Sequence, residues 1–512
     1  MGDFDTDGYF SSVTYPMEFH RQYTPVWLNL ATLLCGHRPK ALDRPFRWCD
    51  IGCGQGFTAL GVASLYPHAE VYGFDFNPSH IENASRLAAD AGLSNACFAD
   101  VSFETLASAA PGDWPKMDFI VLHGVWSWVS AAQRKHIMRF IARHLAPGGV
   151  VYNGYNALAG WAALLPVQKL LRQFRASQPA ESGAALVAQG TALLRSLIDN
   201  QAAFFADNPI AARRLKFLGE QDVNYFCHEL LHEHWQPFSP DEVAADFATA
   251  QCGYIGSATL LENFDVFSVP QAMVPMLAAA TSPARKEILR DFGAARMFRR
   301  DLFRRGTEHP LPGDWLAALD GITLTDLGLP DDGTMKIKTW GDEGLVLRPD
   351  IYGPVRQGLR AGPLSLRDLR EVFPDTATLT ELAAVLTATG AAHPTPFPLP
   401  SAEQLARGRA LNQAVARLNA AGAKVHLLAA PRLGTMLAVE ETEQALATAF
   451  AGADPANMLE DAASRLAATG RELLQSGQPV LEPEARLAGW RRVAAHFAAT
   501  RLPVLQRTGA VP

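Results

Sequence analysis

The chain has 512 residues, 48% hydrophobic and 19% charged, enough for about three domains with sizeable cores. Its 45 basic and 52 acidic residues leave a net charge of −7, which argues against a general nucleic-acid binder. The six cysteines are too few and too scattered for a disulfide framework, and no apolar run approaches the ~18 residues of a spanning helix. The N-terminus, Met1-Gly2-Asp3-Phe4-Asp5-Thr6, is acidic where a secretory signal would be basic, so a cytoplasmic protein without membrane insertion is expected.

Apolar runs alternate with amphipathic ones over the first 155 residues. Strands are predicted at 46–51, 70–74, 96–99, 118–123 and 149–154, with helices at 57–66, 79–92 and 131–145 between them. Such alternation predicts a parallel α/β sheet. Residues 157–220 read as a helical insertion without a strand. A helix at 240–251 and an apolar stretch at 254–261 could return to the sheet and finish it. Residues 266–310 read as a basic helical stretch with a solvated face, carrying Arg285, Arg290, Arg296, Arg299, Arg300, Arg304 and Arg305. A hairpin is predicted at 333–348 around Gly341-Asp342, then two short helices at 364–373 and 379–389. From 401 onward 28 of 112 residues are alanine, which predicts a helical tail. The domains expected are therefore 1–265, 266–400 with a winged-helix-like part at 333–400, and 401–512.

The sharpest motif is Asp50-Ile51-Gly52-Cys53-Gly54-Gln55-Gly56, after the first strand and before the first helix of that unit. A glycine-rich turn there lets a ligand approach bare backbone N–H groups. Position 57 is Phe where the dinucleotide fingerprint needs glycine, and no P-loop lysine follows. Asp75 ends the second strand and can accept two hydrogen bonds from a ribose diol. Asp100 ends the third and can accept from an adenine amine, with Phe98 or Phe103 near the ring. An adenosine without phosphate is the implied ligand.

These residues resemble the class I S-adenosylmethionine-dependent methyltransferases. The resemblance implies a Rossmann-like sheet, passage of the methionine part along Gly52, Gly54 and Gly56, Asp75 on the ribose and Asp100 on adenine. Asp50, Val101, His123 and Tyr15 complete the expected cofactor contacts, with Tyr9 and Tyr15 closing over the cleft. The segments Asp118 to Val129, Tyr152 to Trp161 and Asn224 to Leu231 are similar to bacterial methyltransferases with an appended methyltransferase regulatory domain. That similarity covers roughly residues 9–400, and some members methylate lysines of outer-membrane proteins. It implies a protein lysine acceptor, with a small molecule or glycan as the alternative, and allows a homodimer.

Methyl transfer is an in-line displacement at a sulfonium, so alignment and exclusion of water matter more than strong acids or bases. His123, Trp126 and Tyr155 are the expected catalytic residues, with Trp128 and Trp161 beside them at the carboxyl ends of the strands. No Asn/Asp-Pro-Pro-aromatic sequence follows the fourth strand, which disfavours methylation of DNA bases. His228-Glu229-Leu230-Leu231-His232 spells the zincin signature HExxH, making a metalloprotease the competing enzyme class. Pro237 close behind and Trp235 in the position of the metzincin glycine weigh against it, and no metal is expected. A cofactor-sensing regulator that binds a protein through residues 364–398 is the non-catalytic alternative.

Overall fold

A computed structural model of the chain describes residues 17–110, 112–178, 183–219, 230–306, 312–328, 336–337, 344–454, 457–475 and 478–511. Its centre is a seven-stranded sheet of β1 (Arg47–Ile51), β2 (Glu70–Asp75), β3 (Ala96–Asp100), β4 (Met117–His123), β5 (Leu145–Asn156), β6 (Cys252–Ser257) and β7 (Phe298–Arg305). The order is 3-2-1-4-5-7-6. Strands β1 to β5 pair in parallel, and β7 runs antiparallel between β5 and β6. Strand order reverses between β1 and β4, which opens a crevice at the carboxyl ends of these two strands.

Helices α1 (Pro25–Leu34), α2 (Phe57–Leu65), α3 (Pro78–Asp90), α4 (Phe103–Ser108) and α5 (Ala131–His144) cover the sheet. All nine residues of α2 are buried, because one side meets the sheet and the other meets the C-terminal region. There Gly61 faces Met436, Tyr66 donates to the Gly434 carbonyl at 3.0 Å, and Gln404 donates to the Leu65 carbonyl at 3.2 Å. The Ala-rich region forms helices such as Ala402–Ala420 and Pro483–Thr500, as expected. It also contains a β-hairpin of Leu427–Ala430 and Thr435–Ala438, which composition did not predict.

The insertion is helical and has its own core, in which Trp161 and Trp235 meet edge to face. Residues 323–394 combine a three-stranded antiparallel sheet with helices Pro349–Ala361, Leu366–Val372 and Thr376–Ala388. Lys336–Ile337 pairs with Leu345–Val346 as the predicted hairpin requires, while the turn at Gly341-Asp342 lies outside the described residues.

One sequence expectation fails clearly. Residues 266–310 are not one basic helix with a solvated face: a helix at Pro283–Ala294 is followed by β7, deep in the sheet. A domain boundary at 265 would therefore cut the sheet before its penultimate strand is added. The arginines are tolerated inside because they are paired. Arg299 is fully buried and donates to Asp301 at 3.0 Å, Asp291 at 2.6 Å and Glu287 at 2.8 Å. Arg290 and Arg296 extend the network to Asp265 and Glu262.

Candidate functional site: a cleft at the carboxyl ends of β1, β2 and β4

The glycine turn leaves β1 and enters α2, with Gly52, Gly54 and Gly56 all at positive φ, where side chains other than glycine are strained. A Cβ on Gly54 would meet nothing within 4 Å, so this glycine opens onto free space rather than onto protein. Gly56 is constrained in the opposite way. A Cβ there would sit 2.6 Å from the Phe98 ring and 2.8 Å from Ala84 Cβ. Phe98 thus packs beneath the turn. Gly56→Ala combines this overlap with a left-handed backbone, and is expected to destabilise the fold by about 2–4 kcal/mol. Thermal unfolding with and without S-adenosylmethionine reads both the loss and any failure of the ligand to stabilise.

Asp75, at the end of β2, is nearly buried and holds the turn in place. It accepts from the Gly54 and Asn77 N–H groups, both at 2.9 Å, and its Oδ1 lies 3.3 Å from His80 Nδ1. Behind it Asp50 is buried, and burial, then the charge of Asp75, pushes its carboxyl well above the usual range. Asp100 stands opposite Asp75 in the β2–β3 register and is exposed, and Val101 donates its N–H to the Asp75 carbonyl at 3.0 Å.

His123 ends β4 on the other side of the cleft. Gly154 on β5 makes room for it, since a Cβ there would lie 2.9 Å from His123 Nδ1. That nitrogen is 2.8 Å from the Tyr152 hydroxyl. Burial, the neighbouring His20 and Arg300 hold the His123 imidazole well below its ordinary pKa, so it is neutral at physiological pH.

The lid expected from Tyr9 and Tyr15 lies outside the described residues, but the segment just after it carries contacts that the sequence did not reveal. The His20 and His123 rings lie tilted at 36° with centroids 4.0 Å apart, and Tyr23 lies 5.5 Å from the His123 ring. Glu18 pairs with His20 Nε2 at 3.2 Å. Thr58, on α2, accepts from the His20 N–H at 3.2 Å and donates to the Tyr23 hydroxyl at 3.3 Å. The glycine turn, Asp75, His123, His20 and Glu18 thus line one cleft.

Three expected residues are elsewhere. Tyr155 is fully buried and donates to Asp301 at 2.6 Å, within the ion network of β7. Trp126 is fully buried against Phe247, and Trp161 donates to the Met297 carbonyl at 2.9 Å inside the insertion core. None of the three lines the cleft, so a catalytic role for Tyr155 or Trp126 is withdrawn. His228 and Glu229 of the HExxH sequence lie outside the described residues, and His232 is buried, accepting from the His234 N–H at 3.2 Å. Among the described residues no group of three His, Cys, Asp or Glu side chains could hold a metal.

With this geometry the comparisons with known proteins agree. Residues 49–151 match the methyltransferase domain family, and 222–305 match the predicted methyltransferase regulatory domain. Protein sll1526 of Synechocystis is 33% identical over 514 residues, spanning 98% of this chain and 99% of that one. The chain belongs to the S-adenosylmethionine-dependent methyltransferases that carry a methyltransferase regulatory domain. Its fold is that of PKMT2 from Rickettsia typhi. The AdoHcy complex of that protein superimposes with a TM-score of 0.68 at 20% identity, covering 97% of this chain and 99% of that one. A second structure of PKMT2 gives a TM-score of 0.70 at 18% identity, with the same coverage.

The regulatory match corrects the expected domain plan again. In this methyltransferase the segment 222–305 contains the helix Pro240–Ala248, β6 and β7, so the regulatory region completes the catalytic sheet instead of following it. Among the described residues no helix is long and apolar enough to cross a membrane.

Proposed function

We propose that this methyltransferase transfers methyl groups to lysine amines of a protein acceptor in the cytoplasm. The observation that carries the reading is the carboxylate of Glu18 in the cleft. It keeps about half of its side chain exposed, in a cleft that the buried Asp75 also lines, so the charge there favours a cationic amine over an anionic acceptor. S-Adenosylmethionine supplies a methyl carbon on a sulfonium, which a nucleophile displaces in line. Gly52 and Gly54 offer the methionine part bare backbone, the Asp75 carboxylate takes the ribose hydroxyls, and Asp100 with the Val101 backbone stands where adenine would lie. Those five residues fit the ligand without a phosphate partner. The 200-odd residues beyond β7 are more apparatus than a small acceptor requires, and supply surface for a polypeptide. PKMT2, crystallised with AdoHcy, shares this whole arrangement of elements.

Incubation of total protein from cells lacking the gene with isotopic S-adenosylmethionine tests the reading. Mass spectrometry should place the label on lysine side chains. Label confined to metabolites or glycans would replace the acceptor while leaving the methyltransferase assignment intact.

A further inference from the structure

His20 has extended backbone angles, and the side chains around it alternate between two environments. Glu18 and His20 line the cleft, as does Tyr23 after the short turn that follows. Met17 and Phe19 pack instead against the core that contains α2 and Met436 of the C-terminal hairpin. Phe19 and Met436 both rest on the bare Cα of Gly61: a Cβ there would lie 3.4 Å from the Phe19 ring and 2.9 Å from Met436 Sδ. Arg21 continues the outward series. Its guanidinium donates to the Ala388 carbonyl at 3.2 Å, the last residue of the helix Thr376–Ala388. It also lies over the Trp27 ring, 4.8 Å from the centroid. The final carbonyls of a helix lack partners within it and carry partial negative charge, so a guanidinium is favoured there on both counts. Trp27 is a fixed platform, since its indole N–H donates to the Ala258 carbonyl at 2.7 Å.

We propose that Arg21 is a positioning residue of this methyltransferase, latching the segment 17–23 to the region 323–394 so that Glu18, His20 and Tyr23 form a lip of the cofactor cleft. Phe19 is the second latch, onto α2 and the C-terminal hairpin. The proposal rests on the assignment of this cleft to S-adenosylmethionine. Among the described residues none beyond Gly124 lines the cleft, yet the regions after β7 shape it from outside through this segment. The thermodynamic consequence is direct. When the latch is removed, the lip is formed in only a fraction of molecules, and the apparent affinity for cofactor falls by that fraction.

Hydrogen exchange and calorimetry on the full-length protein test this. Arg21→Met keeps an apolar chain over Trp27 but removes the charge and the donors, whereas Arg21→Lys restores a charge and a donor. In the ligand-free protein, the amides of His20, Tyr23 and Thr24 donate to Thr58 Oγ1, the His20 carbonyl and the Arg21 carbonyl. In Arg21→Met these three should exchange on the order of tenfold faster, with the amides of β1 and β4 unchanged. The dissociation constant for S-adenosylmethionine should rise roughly 10-fold, and Arg21→Lys should recover most of both effects. Exchange and affinity within twofold of wild type in Arg21→Met overturn the proposal. So does a loss of affinity with faster exchange throughout the sheet, which would mark Arg21 as a support of the fold alone. Asp75→Ala reads the cleft assignment separately. If it weakens binding and Arg21→Met does not, the latch alone is refuted; if Asp75→Ala binds as wild type does, the cleft assignment fails and the proposal with it.

Discussion

Replacing Asp75 with alanine should weaken S-adenosylmethionine binding by roughly 10- to 150-fold, the equivalent of losing charge-assisted hydrogen bonds worth about 1.5–3 kcal/mol. The loss has two sources. The carboxylate is the acceptor assigned to the ribose hydroxyls, and it also anchors the Gly54 and Asn77 N–H groups. Without it the turn has two donors released at the point where the ligand lies. Asp75→Asn keeps one acceptor oxygen but points an amide N–H at a backbone donor, so its affinity should fall between wild type and alanine. Calorimetry separates the three proteins. Equal affinity in all of them would remove Asp75 from the cofactor site.

The largest effect on stability is expected at Arg299. Arg299→Met keeps the volume but leaves Asp301, Asp291 and Glu287 without their shared cation in a region closed to water. Breaking buried pairs in this way costs about 3–5 kcal/mol, which equilibrium unfolding in urea would register as a lower midpoint with an unchanged slope. The sign of its pH dependence follows from the carboxylates. Burial already raises the Asp291 carboxyl to about 6, the arginines opposing it. With Arg299 gone, the folded-state values of Asp291 and Asp301 rise further above their unfolded ones, and Glu287, raised by burial but held below its ordinary value by Arg299 and Arg290, loses part of that depression. Groups raised in this way stabilise most at low pH and lose that contribution as pH climbs through the folded value. The variant should therefore be most impaired at neutral pH and recover part of its deficit toward pH 5. A deficit that grows on acidification would contradict the pairing described.

Which parts of the molecule were legible in the sequence follows from the range of the interactions. The five parallel strands and the glycine turn are local: each strand is an apolar run, and Asp50, Asp75 and Asp100 recur at 25-residue intervals because each is the last or next-to-last residue of one strand. Strand β7 was illegible, since Phe-Arg-Arg-Asp-Leu-Phe-Arg-Arg looks solvated until its partners are known, and Tyr155 and Asp301 are separated by 146 positions. Tyr155 could have been placed better. Tyr152 and Gly154 share the face of β5 that meets His123, so by strand alternation Tyr155 points to the opposite face. His20 and Glu18 precede the first strand and carry no motif. Only the turn at Arg21–Tyr23 and the contacts to Thr58 bring them over the cleft.

The placement of β7 also bears on how the chain is made. Strand β5 is an interior strand whose seven partners, Phe298 to Arg304, follow its last residue by about 140 positions. At ribosomal rates of roughly 5–20 residues per second, those partners emerge some 7–30 s after β5 itself. During that interval a nascent chain that has paired β1 to β4 carries an open edge containing Val150, Val151 and Tyr152, the kind of template that recruits other strands. The helical insertion and β6 are synthesised in the meantime, yet neither pairs with β5. Closure of the sheet is thus a late event in biosynthesis, and the interval before it is when this protein is most exposed to misassembly.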